Sequence, residues 1–337
     1  MPRYAPVVRY RQLGDLHISM VGLGCSKFGG ELDLHRTRSV IDAALEVGVN
    51  FLDTADVYGG EGECERLLGQ ILKDRREEVV LATKFGMIWM DADSQRAQPP
   101  GSRTCVRQAA EASLRRLQTD WIDLCQYHLP DGVTPIEETL GALDELVGEG
   151  KVRHIGCSNF SATQLANAAE AARTNGFKSF VSLENEYNLL ERGIETDVVP
   201  ECRRRGVGIL PYFPLASGLL TGKYRRREPR PAGAPPNRRG GPGDEATYDQ
   251  LDALALFARA RDLAPVHVAI GGLSAQPMVA SVIAGATEPE QVRTNAGAAQ
   301  WVPTAQDLAE LDRIFPPPGA QLARRPKWRR LRLRRKR

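Results

Sequence analysis

Eight short apolar runs alternate with amphipathic helical segments along this chain, and no other feature restricts its possible folds as strongly. The runs are ISMVGLG (18–24), NFLDT (50–54), EVVLATKF (78–85), WIDLCQYH (121–128), VRHIGCS (152–158), FVSLEN (180–185), GVGILPY (206–212) and SVIAGA (281–286). Most are continuously apolar, as strands covered on both faces are. Helical signals lie between them. In RTRSVIDAALEVGV, the residues Val40, Ile41, Ala44, Leu45 and Val47 share a face, and Gly48 stands where a helix would stop. TPIEETLGALDELVGEGK opens with Thr134 as a cap, Pro135 in the first turn and Glu137 three residues after the cap, a capping-box pattern. SATQLANAAEAARTNG opens on Ser161 and closes on Gly176.

This order predicts a single closed (β/α)8 TIM barrel, an α/β fold. The rival, an open doubly wound sheet, wants a G-x-G-x-x-G turn after its first strand, and GLGCSKFGG (22–30) lacks that spacing. YRQLGDLHIS ahead of the first barrel strand is expected to form a hairpin over the barrel bottom. YRRREPRPAGAPPNRRGGPGDEATY (224–248) is expected to be a long loop after strand 7, on the ligand-binding face. The barrel is expected to occupy 1–320 and a basic tail 321–337.

Composition excludes several classes. The chain has 337 residues, 42% hydrophobic and 26% charged, enough for one large core. No apolar run approaches the roughly 18 residues of a membrane span, and MPRYAPVVRYRQLG lacks a signal peptide's apolar centre, so a cytoplasmic protein is expected. Six dispersed cysteines and five scattered histidines form no ligand spacing, and no metal is expected. The net charge is +3, but Arg324 to Arg337 hold ten basic and no acidic residues, so the remainder carries −7. Such a tail is solvated and gives at most weak electrostatic binding to nucleic acid or another polyanion.

Barrel chemistry collects at the C-terminal ends of the strands. Asp53 ends the second run and Tyr58 follows it; Lys84 ends the third and His128 the fourth. A carboxylate at such a buried position needs a partner. Taken alone, a strand-end histidine or an Asp–Lys pair reads as structural; together, on three adjacent strands, they form a pattern.

That pattern resembles the aldo-keto reductases, over roughly residues 10 to 315. FLDTADVYG, ATKFG and YHLPD are similar to the family's segments around its Asp and Tyr, its Lys and its His. GKVRHIGCSNF, LENEYNLLER, PLASGLLTGKY and VIAGATEPEQVRTN resemble its cofactor-holding segments. The resemblance implies an NADP(H)-dependent reduction of aldehydes or ketones, or the reverse oxidation, with NAD as the other possible cofactor. A hydride reaches the carbonyl carbon, and Tyr58 donates a proton to the oxygen. A phenol of pKa about 10 is a weak acid at neutrality, so Lys84 is expected to lower that value, with Asp53 as its counter-ion. His128 would orient the carbonyl. Some relatives that serve as channel-associated subunits lack this histidine.

The resemblance also implies cofactor contacts. Ser158 and Asn159 would hold the carboxamide, with Glu184 beside it where the family usually has Gln. Cys25 and Asp53 line the same region, and Tyr212 would stack on the ring. Phe213, Pro214, Leu215, Ser217 and Leu219 would wrap the pyrophosphate, with Lys223 on phosphate. Gly285, Thr287, Gln291 and Asn295 would embrace the adenosine end. An ionised Glu184 could only accept hydrogen bonds, and Glu288 would repel a 2′-phosphate, whereas Lys223 and the Arg225–Arg227 cluster favour NADPH. Substrate is expected against Phe28 and Trp89, with Met87, Ile88 and Trp121 as further lining residues, and 87–102 as a substrate loop. The other readings are an NAD-preferring sugar or polyol dehydrogenase and a nucleotide-binding regulatory subunit with little turnover.

Overall fold

The computed structural model describes residues 8–87, 98–226, 228 and 245–320. A two-stranded antiparallel hairpin, β1 (Tyr10–Leu13) and β2 (Leu16–Ser19), precedes an eight-stranded parallel sheet. The sheet strands are β3 (Val21–Gly24), β4 (Phe51–Asp53), β5 (Val80–Phe85), β6 (Ile122–Tyr127), β7 (Val152–Ser158), β8 (Ser182–Glu186), β9 (Gly208–Tyr212) and β10 (Val282–Gly285). They run in the order β10-β3-β4-β5-β6-β7-β8-β9. The ring closes where Ile209 N donates to Met278 O at 2.7 Å and Ala280 N donates to Ile209 O at 2.9 Å. All eight expected strands are present, each within the run that predicts it or one residue past its end, and the fold is the (β/α)8 barrel.

Ten helices fall among the described residues: α1 (Leu34–Glu46), α2 (Glu63–Leu72), α3 (Arg103–Leu117), α4 (Ile136–Gly148), α5 (Ala162–Asn175), α6 (Val198–Arg205), α7 (Glu245–Arg259), α8 (Pro265–Ser274), α9 (Pro289–Ala298) and α10 (Ala305–Ile314). In α1 the side chain of Asp33 caps Arg36 N, and the helix stops before Gly48, as expected. In α5 the Ser161–Gln164 capping box and the terminal Gly176 are both present.

The start of α4 differs from the expectation. Thr134 does not cap the helix; its hydroxyl donates to Asp131 Oδ2 at 2.7 Å. Asp131 also accepts from the backbone N–H groups of Gly101, Val133 and Thr134, and these bonds hold its carboxyl down at about 2. An ionised acceptor forms stronger bonds than a neutral hydroxyl, so the carboxylate organises the turn. The expected loop 224–248 is partly helical, since α7 already includes Glu245–Tyr248. Residues 227 and 229–244, and the tail 321–337, lie outside the described residues.

Strand periodicity of two sorts the side chains. Leu52, Leu81, Phe85 and Cys125 pack outward with the helices. Phe51, Ala82, Leu124, Leu210 and Ile283 point inward and pack with Leu13, Leu16 and Ile18 of the hairpin, which plugs the barrel bottom. Two residues further along the strands, the same inward positions are Asp53, Lys84, Gln126 and Tyr212. The apolar plug therefore gives way to a polar layer at the opposite mouth.

That layer needs Gly156 on β7. A Cβ there would come within 2.0 Å of Ser182 Oγ and 3.2 Å of Gln126 Cγ, two groups joined by a 2.9 Å hydrogen bond. We predict that Gly156→Ala costs about 1–3 kcal/mol, the usual range for overpacking a close-packed interior. Urea unfolding measures it, and an unchanged midpoint would contradict this packing.

Candidate active site

Lys84 lies at the centre of the mouth, with 1% of its surface exposed. Its Nζ is 2.5 Å from Asp53 Oδ2, 3.2 Å from the Thr54 carbonyl oxygen and 3.2 Å from Glu184 Oε2. The carboxylate expected to pair with Lys84 does so, and a second one joins it. Gln126 Nε2 donates to Glu184 Oε2 at 2.8 Å and lies 3.5 Å from Asp53 Oδ1. Ser182 Oγ fixes the amide by donating to Gln126 Oε1. Strand register places these groups side by side: Lys84 is paired with Gln126, and Ser158 with Glu184.

Burial alone would lower the Lys84 pKa, but Asp53, Glu184 and Tyr58 together raise it well above the ordinary value, so the ammonium persists. Burial pushes the Asp53 carboxyl up against the opposing pull of Lys84. The Glu184 carboxyl rises to about 8, through burial first and the neighbouring Asp53 second.

Tyr58 is placed by the turn that follows β4. Its N–H donates to Ala55 O at 3.2 Å, and its own carbonyl accepts from Cys64 N at the start of α2. The turn requires Gly59, with φ of 75°, where a Cβ would come within 2.7 Å of the Phe28 carbonyl oxygen. The phenol ring then lies 5.3 Å from Lys84 Nζ and edge-on to the His128 ring, 6.1 Å between centroids. Lys84 does pull the phenol pKa down, as expected, but burial outweighs it, helped by Asp53 and Glu184. The net direction is upward, which keeps Tyr58 protonated.

Burial and the Lys84 charge lower His128 to about 3, so its ring is neutral. Its Nδ1 is buried without a hydrogen-bond partner in the protein. A buried polar atom left without a partner calls for a reason, and a catalytic role is one of those known.

The residues read as cofactor contacts line the same mouth. Tyr212 donates from its hydroxyl to Asn159 Oδ1 at 2.8 Å, and Asn159 Nδ2 donates to the His128 carbonyl at 2.9 Å. Ser158 Oγ donates to the Glu184 carbonyl at 2.8 Å. After β9 the backbone has positive φ at Phe213 (51°), Ala216 (47°), Ser217 (55°) and Gly218 (91°). Strained backbone of this sort is concentrated at ligand clamps. Pro214 is buried, and Leu215 and Leu219 anchor the turn in the adjoining apolar cluster. Lys223, exposed and without an ion pair among the described residues, lies against Gly218.

At the end of β10, Gly285 is exposed and Asn295 buried. Gln291 Oε1 accepts from Thr287 N at 2.8 Å. Glu288 Oε1 accepts from Arg36 Nη2 of α1 at 2.8 Å, so a cation absent from the sequence reading offsets its charge. Gln126 was also missed, although its position two residues after the inward Leu124 marks it as inward.

Cys25 and Phe28 are fully buried, and the Cys25 thiol donates to the Leu23 carbonyl. Trp121 does not line the mouth. It precedes β6 at the opposite end of the barrel, where Arg76 and Arg153 lie 4.6 and 4.8 Å from its ring centre. Ile88 and Trp89 lie outside the described residues. Among the described residues there is no cluster of three or more His, Cys, Asp or Glu able to hold a metal, and no helix long and apolar enough to cross a membrane.

A (β/α)8 barrel whose mouth holds Asp, Lys, Tyr and His on adjoining strands is the arrangement of a carbonyl-handling oxidoreductase. Comparison with known proteins agrees: residues 20–315 match the model of the Aldo/keto reductase family, and the chain belongs to that family. It is 33% identical over 330 residues to the uncharacterized oxidoreductase YrpG of Bacillus subtilis, covering 95% of this chain and all of that one. The aldo-keto reductase YhdN of the same organism is 32% identical, covering 91% and 94%. A probable voltage-gated potassium channel subunit beta of Arabidopsis thaliana is 31% identical, covering 91% and 95%. Among solved structures, the holo form of aldo-keto reductase AKR11C1 from Bacillus halodurans superposes with a TM-score of 0.76. It is 33% identical, and the match covers 91% of this chain and 96% of that one. Family membership and that holo form imply a nicotinamide cofactor.

Replacing Lys84 by Met leaves two buried carboxyls without their cation. We predict a loss of about 3–5 kcal/mol, the cost of breaking a buried pair from one side. Urea unfolding at neutral pH provides the check, and stability equal to that of the parent would contradict the assignment.

Proposed function

We propose that this chain reduces aldehydes or ketones to alcohols with NADPH, or runs the reverse oxidation, and that Tyr58 is the general acid. The observation that carries this reading is the convergence of a protonated Tyr58, the buried Lys84 ammonium and the unpartnered His128 Nδ1 on one mouth. The residues present fit a nicotinamide dinucleotide: polar groups at Ser158 and Asn159, an aromatic ring at Tyr212, a strained backbone turn at 213–218 and a cation at Lys223.

When bound, the reduced cofactor supplies the hydride to the carbonyl carbon. Tyr58 holds the proton for the carbonyl oxygen. The neutral His128 imidazole hydrogen-bonds that oxygen and orients it. Lys84 stabilises the phenolate left after proton transfer, which eases a donation that burial opposes. Asp53 keeps Lys84 charged. Ser158 and Asn159 would hold the carboxamide, and Tyr212 would stack on the nicotinamide.

The cofactor preference rests on the adenosine end. Glu288 alone would repel a 2′-phosphate, but its pairing with Arg36 removes much of that penalty, and Lys223 adds an exposed cation. We expect NADPH to bind tighter than NADH, by quenching of tryptophan fluorescence. The opposite order would favour the NAD-preferring sugar or polyol dehydrogenase.

The potassium-channel-subunit relatives favour one other reading, a nucleotide-binding regulatory barrel with little turnover. Consumption of NADPH over a panel of aromatic and aliphatic aldehydes separates the two. We predict turnover in the wild type and a fall of about 10²–10⁴-fold in Tyr58→Phe, the usual weight of a general acid. Cofactor affinity should be unchanged. Tight cofactor binding with no turnover on any carbonyl would select the regulatory reading.

A further inference from the structure

The polar layer at the mouth contains one more acid than its cation neutralises. Asp53 and Glu184 both contact Lys84, at 2.5 and 3.2 Å, and both are buried. Two ionised carboxylates beside one ammonium leave a net negative charge out of water, which is costly. Where two carboxyls share a site, one keeps a proton. The shorter contact belongs to Asp53, so Asp53 is the ionised partner and Glu184 the proton carrier. Glu184 Oε2 already accepts from Gln126 Nε2 and faces Lys84 Nζ, both donors. Glu184 also hydrogen-bonds the Asp53 side chain, a contact that favours an ionised Asp53 beside a protonated Glu184.

We propose that Glu184 holds an exchangeable proton at neutral pH, and that loss of this proton weakens Tyr58 as an acid and sets the alkaline limit of carbonyl reduction. Glu184 does not touch the carbonyl; it is a positioning residue that acts through Lys84 and Tyr58. The charged and titratable groups facing it are Asp53 from β4, Tyr58 from the following turn and Lys84 from β5. Gln126 from β6, Ser158 from β7 and Ser182 of β8 are neutral, and Leu210 lies beside it on β9.

With the proton in place, Asp53, Lys84 and Glu184 sum to zero, and the protonated carboxyl has both a donor and an acceptor, as the family's glutamine does. Burial and Asp53 place its titration at about 8. Above that pH the extra negative charge raises the Tyr58 pKa further and opposes charge building on the carbonyl oxygen. The same group acts on stability. Its folded pKa lies above the ordinary value of 4.5, so between 4.5 and about 8 the folded chain holds a proton that the unfolded chain has lost. That contribution is complete below 4.5 and is lost as pH rises to about 8.

The proposal rests on Tyr58 being the acid, but its first test does not. The protein without cofactor, labelled with 13C at its glutamate carboxyls, is titrated by NMR beside Glu184→Gln. The expected result is a resonance titrating near 8 that is absent from the variant. A Glu184 resonance that has finished titrating below pH 6 overturns the proposal whatever the activity. Should the variant not fold, the presence or absence of a glutamate resonance titrating near 8 in the wild type decides.

The second test is the pH profile of kcat at saturating NADPH. The wild-type rate should fall about tenfold per pH unit above the midpoint, as a one-proton limb does. In Glu184→Gln this limb should vanish or move to higher pH. If the resonance titrates near 8 and the variant keeps the same limb, the link to Tyr58 is overturned. If it titrates near 8 and no carbonyl is reduced at any pH, the assigned activity fails and the proton assignment stands.

Discussion

A lysine ammonium buried at the mouth of a barrel is the constraint on which the rest of this structure depends. Lys84 has lost its water and survives as a cation because Asp53, Glu184 and the Thr54 carbonyl replace it. Supplying those partners takes adjacent strands with inward residues at one level, which a parallel barrel provides. It also takes Gly156, whose missing side chain lets Ser182 reach Gln126 and hold the amide in place. The apolar plug below closes the barrel bottom with Leu13, Leu16 and Ile18. Energy gained in that plug and in the helix layer offsets the cost of the buried charge.

From this centre the chemistry follows in order. A fixed ammonium near a phenol favours the phenolate, yet burial and two carboxyls push the other way, and the balance leaves Tyr58 protonated. A neutral histidine with a buried, unpartnered Nδ1 packs edge-on to that phenol. The reaction proposed above rests on these protonation states: a proton on Tyr58, a neutral ring at His128 and a charge on Lys84. The strained turn after β9 and the Arg36–Glu288 pair follow strands that end at the same mouth.

Much of this was legible in the sequence because strand ends are. Asp53, Lys84 and His128 each close a continuous apolar run, and in a barrel such residues must converge. The helix caps at Asp33 and Ser161 are local and obey local rules. What escaped depends on competition between groups, some of them distant in sequence. Thr134 looked like a cap because its own hydroxyl was weighed alone, whereas Asp131, three residues earlier, takes that hydroxyl together with the N–H groups of Val133, Thr134 and the distant Gly101. Trp121 looked like a pocket residue because strand direction, not composition, decides which end of the barrel a strand's first residue occupies. The Lys84 effect on Tyr58 was read from one charge, whereas the outcome depends on burial and two further carboxyls. Arg36 lies 252 residues from Glu288, and no pattern within the chain connects them.

The central claim, that the Lys84 cluster organises a working carbonyl reduction, is tested most directly by isotope transfer. NADPH carrying deuterium at the transferable C4 position would be incubated with an aromatic aldehyde, and the alcohol analysed by mass spectrometry. The account predicts deuterium on the former carbonyl carbon with the wild type, and none above the uncatalysed background with a folded, cofactor-binding Lys84→Met. Alcohol without deuterium from the wild type, or full transfer by Lys84→Met, would contradict it.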